Sequence, residues 1–443
     1  MLSIDSNSMQ RMDQPMAHRA SRVTTVARRA HEAACFLWVA MLPVAVAPES
    51  LAFFVLMVTS AARIVVDPNA RGSFLGAVRV LLPLVLFCAW AMCASAWSPS
   101  EFLGAIKSTP LRATLGVMAL VPIIVRPWPL LLTFAASSTV MLAIAAVRIL
   151  ANPTKFARFS QDFPGIVGSY SATNLVAGAL LVGASALVVA IQQKRYAALG
   201  VIPATIAAIV LRAAGSRTGT VGALVGMVIA SVTLVAAGKV RRWRLVVAIA
   251  LLLATGGALV WQSAATARML PILNGSPDPI TTAHQGDEMA YMMVRVAGIR
   301  GQIWFVSLSL ISQRPILGWG TKSWKDTYPQ ELARVRYAVD AGVPIRSGLA
   351  QERHSHNAFL QAWVEQGVVG VTLLAWVLIS CWQLSRRVPD DLLRAVLLGM
   401  LGVWVCNAMT SAPITSHLAM AYLGLIFVTA TAVSTAVPTL HRK

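Results

Sequence analysis

Apolar residues run along this chain in long blocks separated by short polar or basic turns. Blocks of about 15–22 residues have the length that a helix needs to cross the hydrocarbon core of a bilayer. They predict spans near 33–48, 50–66, 74–96, 111–125, 127–148, 171–192, 197–212, 218–237, 245–262, 357–380, 393–408 and 417–436. No stretch shows the ten-residue alternation of an outer-membrane barrel strand. The expected fold is therefore all-α, a polytopic integral membrane protein of about twelve transmembrane helices.

Two intervals between blocks are long, 149–171 and 263–356. A connector beyond ~15 residues is uncommon and is usually a functional element. Within the second, residues 298–313 read as an amphipathic helix. At ~1.5 Å per residue it would be roughly 24 Å long, short of the ~30 Å hydrocarbon core. It is expected along the outer interface, with Trp304 and Phe305 in lipid or in the helix bundle. The chain then divides into a tail (1–32), nine spans (33–262), a loop with short helices (263–356), and three spans with a short C-terminus (357–443). The tail is polar and basic and lacks the apolar core and cleavage site of a signal peptide.

Composition agrees with the pattern. Of 443 residues 57% are hydrophobic and only 12% charged, with a mean hydropathy of +0.68. A soluble domain carries about twice that charged share. The net charge of +20 does not point to nucleic acid, because the basic residues lie mostly in short inter-helix turns. The turns at 193–195, 239–244 and 386–394 are strongly basic, whereas those at 97–110 and 409–416 hold only Lys107 between them. By the positive-inside rule both termini are expected in the cytoplasm. The long loop, with ten Lys/Arg against seven Asp/Glu, is then periplasmic. The five cysteines fall inside or at the ends of apolar blocks and read as small core residues rather than disulfide partners or metal ligands.

Three outward groups have chemical potential. Arg217 lies in the turn Gly215-Ser216-Arg217-Thr218-Gly219. Its guanidinium can snorkel to headgroups or act as a planar fork for phosphate. Arg300 opens the loop helix, where free backbone N–H groups also favour an anion. His354-Ser355-His356-Asn357 leads into the tenth span. A histidine there is a capping residue or a general base. A metal site is the weaker reading, since no Cys or carboxylate follows at ligand spacing. No Asp-x-Asp pair and no glycine-rich nucleotide loop occurs anywhere, so a reaction at this face points to a lipid-linked donor.

The run His356-Asn357-Ala-Phe-Leu360-Gln361-Ala-Trp-Val-Glu365-Gln-Gly367 resembles the His-Asn-x-x-Leu-Gln-x-x-x-Glu-x-Gly element of the O-antigen ligase and polymerase family. Arg300-Gly-Gln-Ile-Trp304, then Arg314-Pro315-Ile-Leu-Gly318-Trp-Gly320, resembles its Arg-x-x-x-Trp and Pro-x-x-Gly-x-Gly elements. Ser216-Arg217 is similar to its Ser-Arg turn, and Gly168-Ser-Tyr-Ser-Ala-Thr-Asn174 to its Gly-x-x-x-x-x-Asn stretch. The elements occur in the family's order between about 165 and 370. One departure is Ser355, where many members have Pro, which leaves His354 as a competitor for the role of base.

The resemblance implies a GT-C-like, metal-independent, inverting glycosyltransferase of the bacterial inner membrane, with no cofactor and a periplasmic site. The implied donor is O-antigen on undecaprenyl diphosphate and the implied acceptor is lipid A–core oligosaccharide. His356 would be the base, and Arg217 and Arg300 would hold the diphosphate. Asn174, Asn357 and Gln361 would line the substrate. Arg353, Lys155 and Arg158, also outward and basic, would meet the phosphorylated core or lipid headgroups. Glu365 lies about 180° around the helix from His356, so a buried pairing with another span is expected for it. Rival readings are an O-antigen polymerase using the same donor, a protein O-oligosaccharyltransferase, and a lipid-linked glycan transporter. The last is disfavoured because no internal repeat is visible and the charges gather at one face.

Overall fold

In hydrocarbon, backbone N–H and C=O groups have only each other as partners, so apolar blocks of this length fold as helices. The computed structural model describes residues 6–44, 46–107, 109–120, 127–151, 170–190, 194–213, 217–238, 299–339, 354–411, 414 and 416–436. Their regular structure is entirely helical, with no strand among the described residues. The helices are α1 (Ser6–Met41), α2 (Val46–Val66), α3 (Pro68–Val80), α4 (Leu82–Ala94), α5 (Phe102–Lys107), α6 (Leu111–Leu120), α7 (Pro127–Ala151) and α8 (Tyr170–Ala190). They continue with α9 (Lys194–Ala213), α10 (Arg217–Ala236), α11 (Ile299–Gln313), α12 (Trp324–Val339), α13 (Ala358–Arg386), α14 (Asp391–Ala408) and α15 (His417–Ala436).

Among the described residues, five helices are long and apolar enough to cross a membrane: α2, α7, α10, α13 and α14. The bent pair α3 and α4 would be a sixth. Shorter apolar helices cover Leu111–Leu120, Leu175–Ala186, Gly200–Leu211 and His417–Thr431. The span expected at 245–262 lies outside the described residues. The span expected at 74–96 is corrected to two helices bent by 72° about Leu81. A proline, Pro83, stands in the first turn of α4. It has no N–H to continue the ladder from α3, and its ring crowds the preceding turn.

The core is one apolar cluster running through the bundle, anchored by Trp38, Phe87, Trp404, Tyr422 and Phe427. Its polar edges are matched: the Trp404 indole donates to the Ala419 carbonyl at 3.0 Å and the Tyr422 hydroxyl to that of Met400 at 3.2 Å. The backbones of α10 and α14 touch, because a Cβ on Gly226 would stand 2.6 Å from the Gly399 oxygen. Small residues at such a crossing replace side-chain packing by backbone contact, as membrane helices commonly do.

The turns sort into two ends. At one end Glu49 accepts from Trp38 (2.8 Å), His417 (3.0 Å) and Arg112, which tie the starts of α2, α6 and α15 to α1. The 98–104 turn joins the 321–326 region through Ser98 to the Thr321 carbonyl (2.7 Å) and Lys322 Nζ to the Gly104 carbonyl (3.2 Å). At the opposite end, Trp128 at the start of α7 donates to Asp390 at 2.9 Å, beside Arg386, Arg387 and Arg394. The poorly basic turns thus share one end.

Helix α11 departs from expectation. It forms at Ile299–Gln313, but no residue from 301 to 311 is exposed. Ile303, Val306, Leu310 and Ile311 pack on Trp324 and Tyr328 of α12 and Val364 of α13, with Trp304 half-buried beside them. It is a packed helix rather than an amphipathic one with an outward apolar face, because α12 and α13 cover it on two sides. Among the cysteines, Cys35, Cys88 and Cys381 are buried as read, whereas Cys93 is exposed and Cys406 half-buried.

Candidate active site

Helix α13 starts where it does because Asn357 caps it. Its backbone is extended, and its side-chain oxygen accepts from the N–H groups of Phe359 (2.9 Å) and Leu360 (3.1 Å). Such caps satisfy N–H groups that the helix leaves orphaned. The Asn357 amide also donates to the Met409 carbonyl at 3.3 Å, in the turn after α14. In the same turn the Thr410 hydroxyl donates to that of Thr218, 2.8 Å away. The 409–411 turn therefore joins the start of α10, where Arg217 stands, to the start of α13, where His356 stands. The Arg217 side chain is outside the described residues.

His356 itself has φ = 53°, the left-handed region that a non-glycine residue rarely adopts. Several bonds impose it. The Ser355 N–H donates to Gln361 Oε1 at 2.7 Å, and the Ser355 hydroxyl donates to the Asn357 carbonyl at 2.6 Å. The His356 N–H donates to His354 Nδ1 at 3.3 Å, and the two rings meet edge to face with centroids 4.2 Å apart. His354 thus accepts from the backbone of His356, which makes it a support for that residue. The His356 ring is partly exposed.

Gln361 is 1% exposed and bonded at both ends of its carboxamide, since Nε2 donates to Glu365 Oε1 at 2.7 Å. Its carboxamide thus links the loop before His356 to Glu365. Glu365 is 5% exposed and accepts from Gln361 and from the backbone N–H groups of Lys322 and Trp324. The expected pairing with another span is corrected. Its side-chain partner is one helical turn away on the same helix, and the 322–324 loop supplies the rest. Serial bonds thus run from that loop through Glu365 and Gln361 to the residue before His356. Gln361→Ala strands the buried Ser355 N–H, at a cost of about 1–3 kcal/mol. If that cost falls on the loop's conformation, kcat for transfer drops roughly 5- to 150-fold. An unchanged kcat would show that the loop holds its shape without this bond.

The helix is broken at Gly367 (φ 68°, ψ −169°), and the 315–320 loop fills the break. Trp319 N–H donates to the Val364 carbonyl and Gly320 N–H to that of Glu365, both at 2.8 Å. Val368 N–H turns to the Pro315 carbonyl (2.9 Å), and the Gln366 carbonyl accepts from the Trp90 indole at 2.9 Å. These three carbonyls and the Val368 N–H thus find partners, as a buried backbone requires. A Cβ on Gly367 would stand 1.9 Å from the Ile316 oxygen, and one on Gly318 would stand 2.6 Å from the Gly367 nitrogen. The glycines of the two sequence elements are therefore one contact.

Because α11 ends at this break and packs on Leu360, Trp363 and Val364, it runs back along the first segment of α13. Its start, with half-buried Arg300, lies on the side of His356. Trp304, one turn along the same face as Arg300, has a buried indole N–H with no partner among the described residues. Asn174 is in α8, with a side chain outside the described residues, and Lys155, Arg158 and Arg353 lie outside them altogether. Among the described residues no three His, Cys, Asp or Glu side chains gather as a metal site. Sequence reasoning missed Ser98 and Ser100, which hold the 321–322 carbonyls from more than 200 residues earlier, Thr321, whose hydroxyl donates to the Ala91 carbonyl, and Trp90, which bonds Gln366 at the break. Nothing in their local sequence marks them.

No curated protein matches the chain. A family model described as O-antigen ligase matches residues 202–375, from within α9 to within α13. The match contains Arg217, Arg300, the loop-filled break and the His356 turn; Asn174, Lys155 and Arg158 precede it. Over that stretch the chain is similar to the O-antigen ligase family, and the similarity points to a membrane glycosyltransferase-like enzyme acting on lipid-linked polysaccharides.

Proposed function

We propose that the protein is an O-antigen ligase of the bacterial inner membrane. It spans the membrane about twelve times, with both termini in the cytoplasm and its site at the periplasmic face. It transfers O-antigen from undecaprenyl diphosphate to the lipid A–core oligosaccharide. His356 takes the proton of an acceptor hydroxyl as that oxygen bonds to the donor's anomeric carbon. The bond from that carbon to the diphosphate oxygen breaks, and its electron pair leaves with the lipid diphosphate. Arg217 and Arg300 stabilise the negative charge that develops there. Single displacement inverts the anomeric configuration.

The observation that carries this reading is the left-handed backbone of His356, held by the bonds of Ser355, His354 and Gln361 inside the matched stretch. Backbone strain of this kind costs of order 1–3 kcal/mol and persists where surrounding structure maintains it, commonly at functional sites. The test uses purified protein, lipid-linked O-antigen and lipid A–core with a chelator present. Capped lipid A–core with inverted configuration is the expected product. Polymer on the lipid carrier, formed without capping, would instead assign the polymerase reaction, and retained configuration would overturn the single-displacement step.

A further inference from the structure

After its break, α13 runs from 367 to 386, roughly 30 Å at ~1.5 Å per residue, which is the thickness of a hydrocarbon core. Its neighbour α14, with 18 residues, is about as long, and the 387–390 turn joins the two at one end. At the other end Asn357 meets Met409. The nine residues before Gly367 therefore add no height: they turn aside at the level where α14 ends. Gly367 and the 315–320 loop lodged in it belong to that level.

The exposed face of α13 between the break and Gln383 is mainly apolar, with Val368, Trp376, Ile379 and Trp382 at helical spacing. The exposed hydroxyl of Thr372 on this face donates to its own helix at the Val368 carbonyl, 2.8 Å away. A hydroxyl facing hydrocarbon needs such an internal partner. An arginine lies over a tryptophan at each end of this stripe: Arg386 over Trp382 at 4.7 Å and Arg314 over Trp319 at 4.2 Å. Arg and Trp are residues of the membrane interface, and here they bracket the stripe. At the upper end the stripe continues onto the loop, because Val368 N–H donates to the Pro315 carbonyl. The next two residues are Ile316, 63% exposed, and Leu317, 51% exposed.

We propose that the 314–319 turn is seated in the lipid leaflet at the site's end of the molecule. Ile316 and Leu317 enter the acyl chains, and Arg314 stays among the headgroup phosphates. Since this turn joins α11 to the loop that bonds Glu365, lipid contact sets the height of Arg300 and His356 above the hydrocarbon. The occupant is lipid because the exposed pair continues a stripe whose length and bracketing residues match a bilayer.

The test is collisional quenching in nanodiscs of phosphatidylcholine and phosphatidylglycerol, using the full chain with exposed Cys93 changed to alanine. An environment-sensitive fluorophore is placed at Ile316→Cys or Leu317→Cys. Ile379→Cys serves as the lipid reference and Lys325→Cys as the water reference. Nitroxide on the lipid acyl chains should quench positions 316 and 317 nearly as strongly as 379, while aqueous iodide quenches only 325. Iodide quenching of 316 and 317 equal to that of 325 would overturn the proposal. Protection from both quenchers would overturn it too, by placing the turn against protein such as a second copy. The measurement requires no glycosyl transfer, so its failure and that of the ligase reading are separate results.

Discussion

His356→Asn is expected to yield a folded protein whose transfer rate is lower by roughly 100- to 10,000-fold, the contribution of a positioned general base. Asparagine is the informative replacement because of the backbone. At φ = 53° most residues pay a conformational penalty that asparagine and glycine largely avoid. His356→Gly should likewise keep the loop and lose the rate. His356→Ala should lose the same rate, but its thermal midpoint should lie below those of the asparagine and glycine variants, since alanine, like the native histidine, costs roughly 1–2 kcal/mol in the left-handed region. The check is transfer of lipid-linked glycan to lipid A–core in parallel with thermal unfolding followed by tryptophan fluorescence. If His356→Asn keeps wild-type turnover, the imidazole is not the base, and the strain at this position serves only the entry into α13.

Gly367→Ala is expected to be the most damaging alanine substitution among the described glycines, since its Cβ contact is the shortest of them. The added methyl would stand 1.9 Å from the Ile316 oxygen, and alanine would also have to adopt φ = 68°. Overpacking of about 1–3 kcal/mol adds to the ~1–2 kcal/mol left-handed penalty, so a loss of roughly 2–5 kcal/mol follows. Relief requires the 315–320 loop to leave the break. That would strand the carbonyls of Val364 and Glu365 and the N–H of Val368. Poor accumulation in the membrane, or a thermal midpoint well below wild type, is the measurable outcome. The matched control is Gly72→Ala in α3, where nothing lies within 4 Å of the new methyl. There alanine should be neutral or slightly stabilising, by up to ~1 kcal/mol, because it is the better helix former. Equal behaviour of the two variants would mean that the loop does not occupy the break in solution.

Among the described residues, the positions of the apolar helices were legible in the hydropathy pattern, although only five are long and apolar enough to cross a membrane, or six with the bent pair. Buried or lipid-facing backbone must bond to itself, and a block of apolar residues between basic turns leaves few alternatives. The start of α13 at Asn357, the helix at 299–313 and the grouping of the poorly basic turns could all be read from residue types and spacing. The bend at Leu81 was written in Pro83, but the continuous apolar run across it masked the break.

The tertiary structure decided what the motif residues do. The sequence shows Gln361, Glu365 and Gly367 as one run, and nothing local reveals that each answers a different partner. Gln361 holds Ser355, Glu365 holds the 322–324 loop, and Gly367 admits Ile316. Those partners come from segments up to about fifty residues away, and the Trp90 indole that closes the break comes from 276 residues away. Hydropathy identifies which segments leave water, because that depends only on the side chains along one helix. Which polar group satisfies which depends on how separate helices pack, and only the folded chain brings those groups within bonding distance.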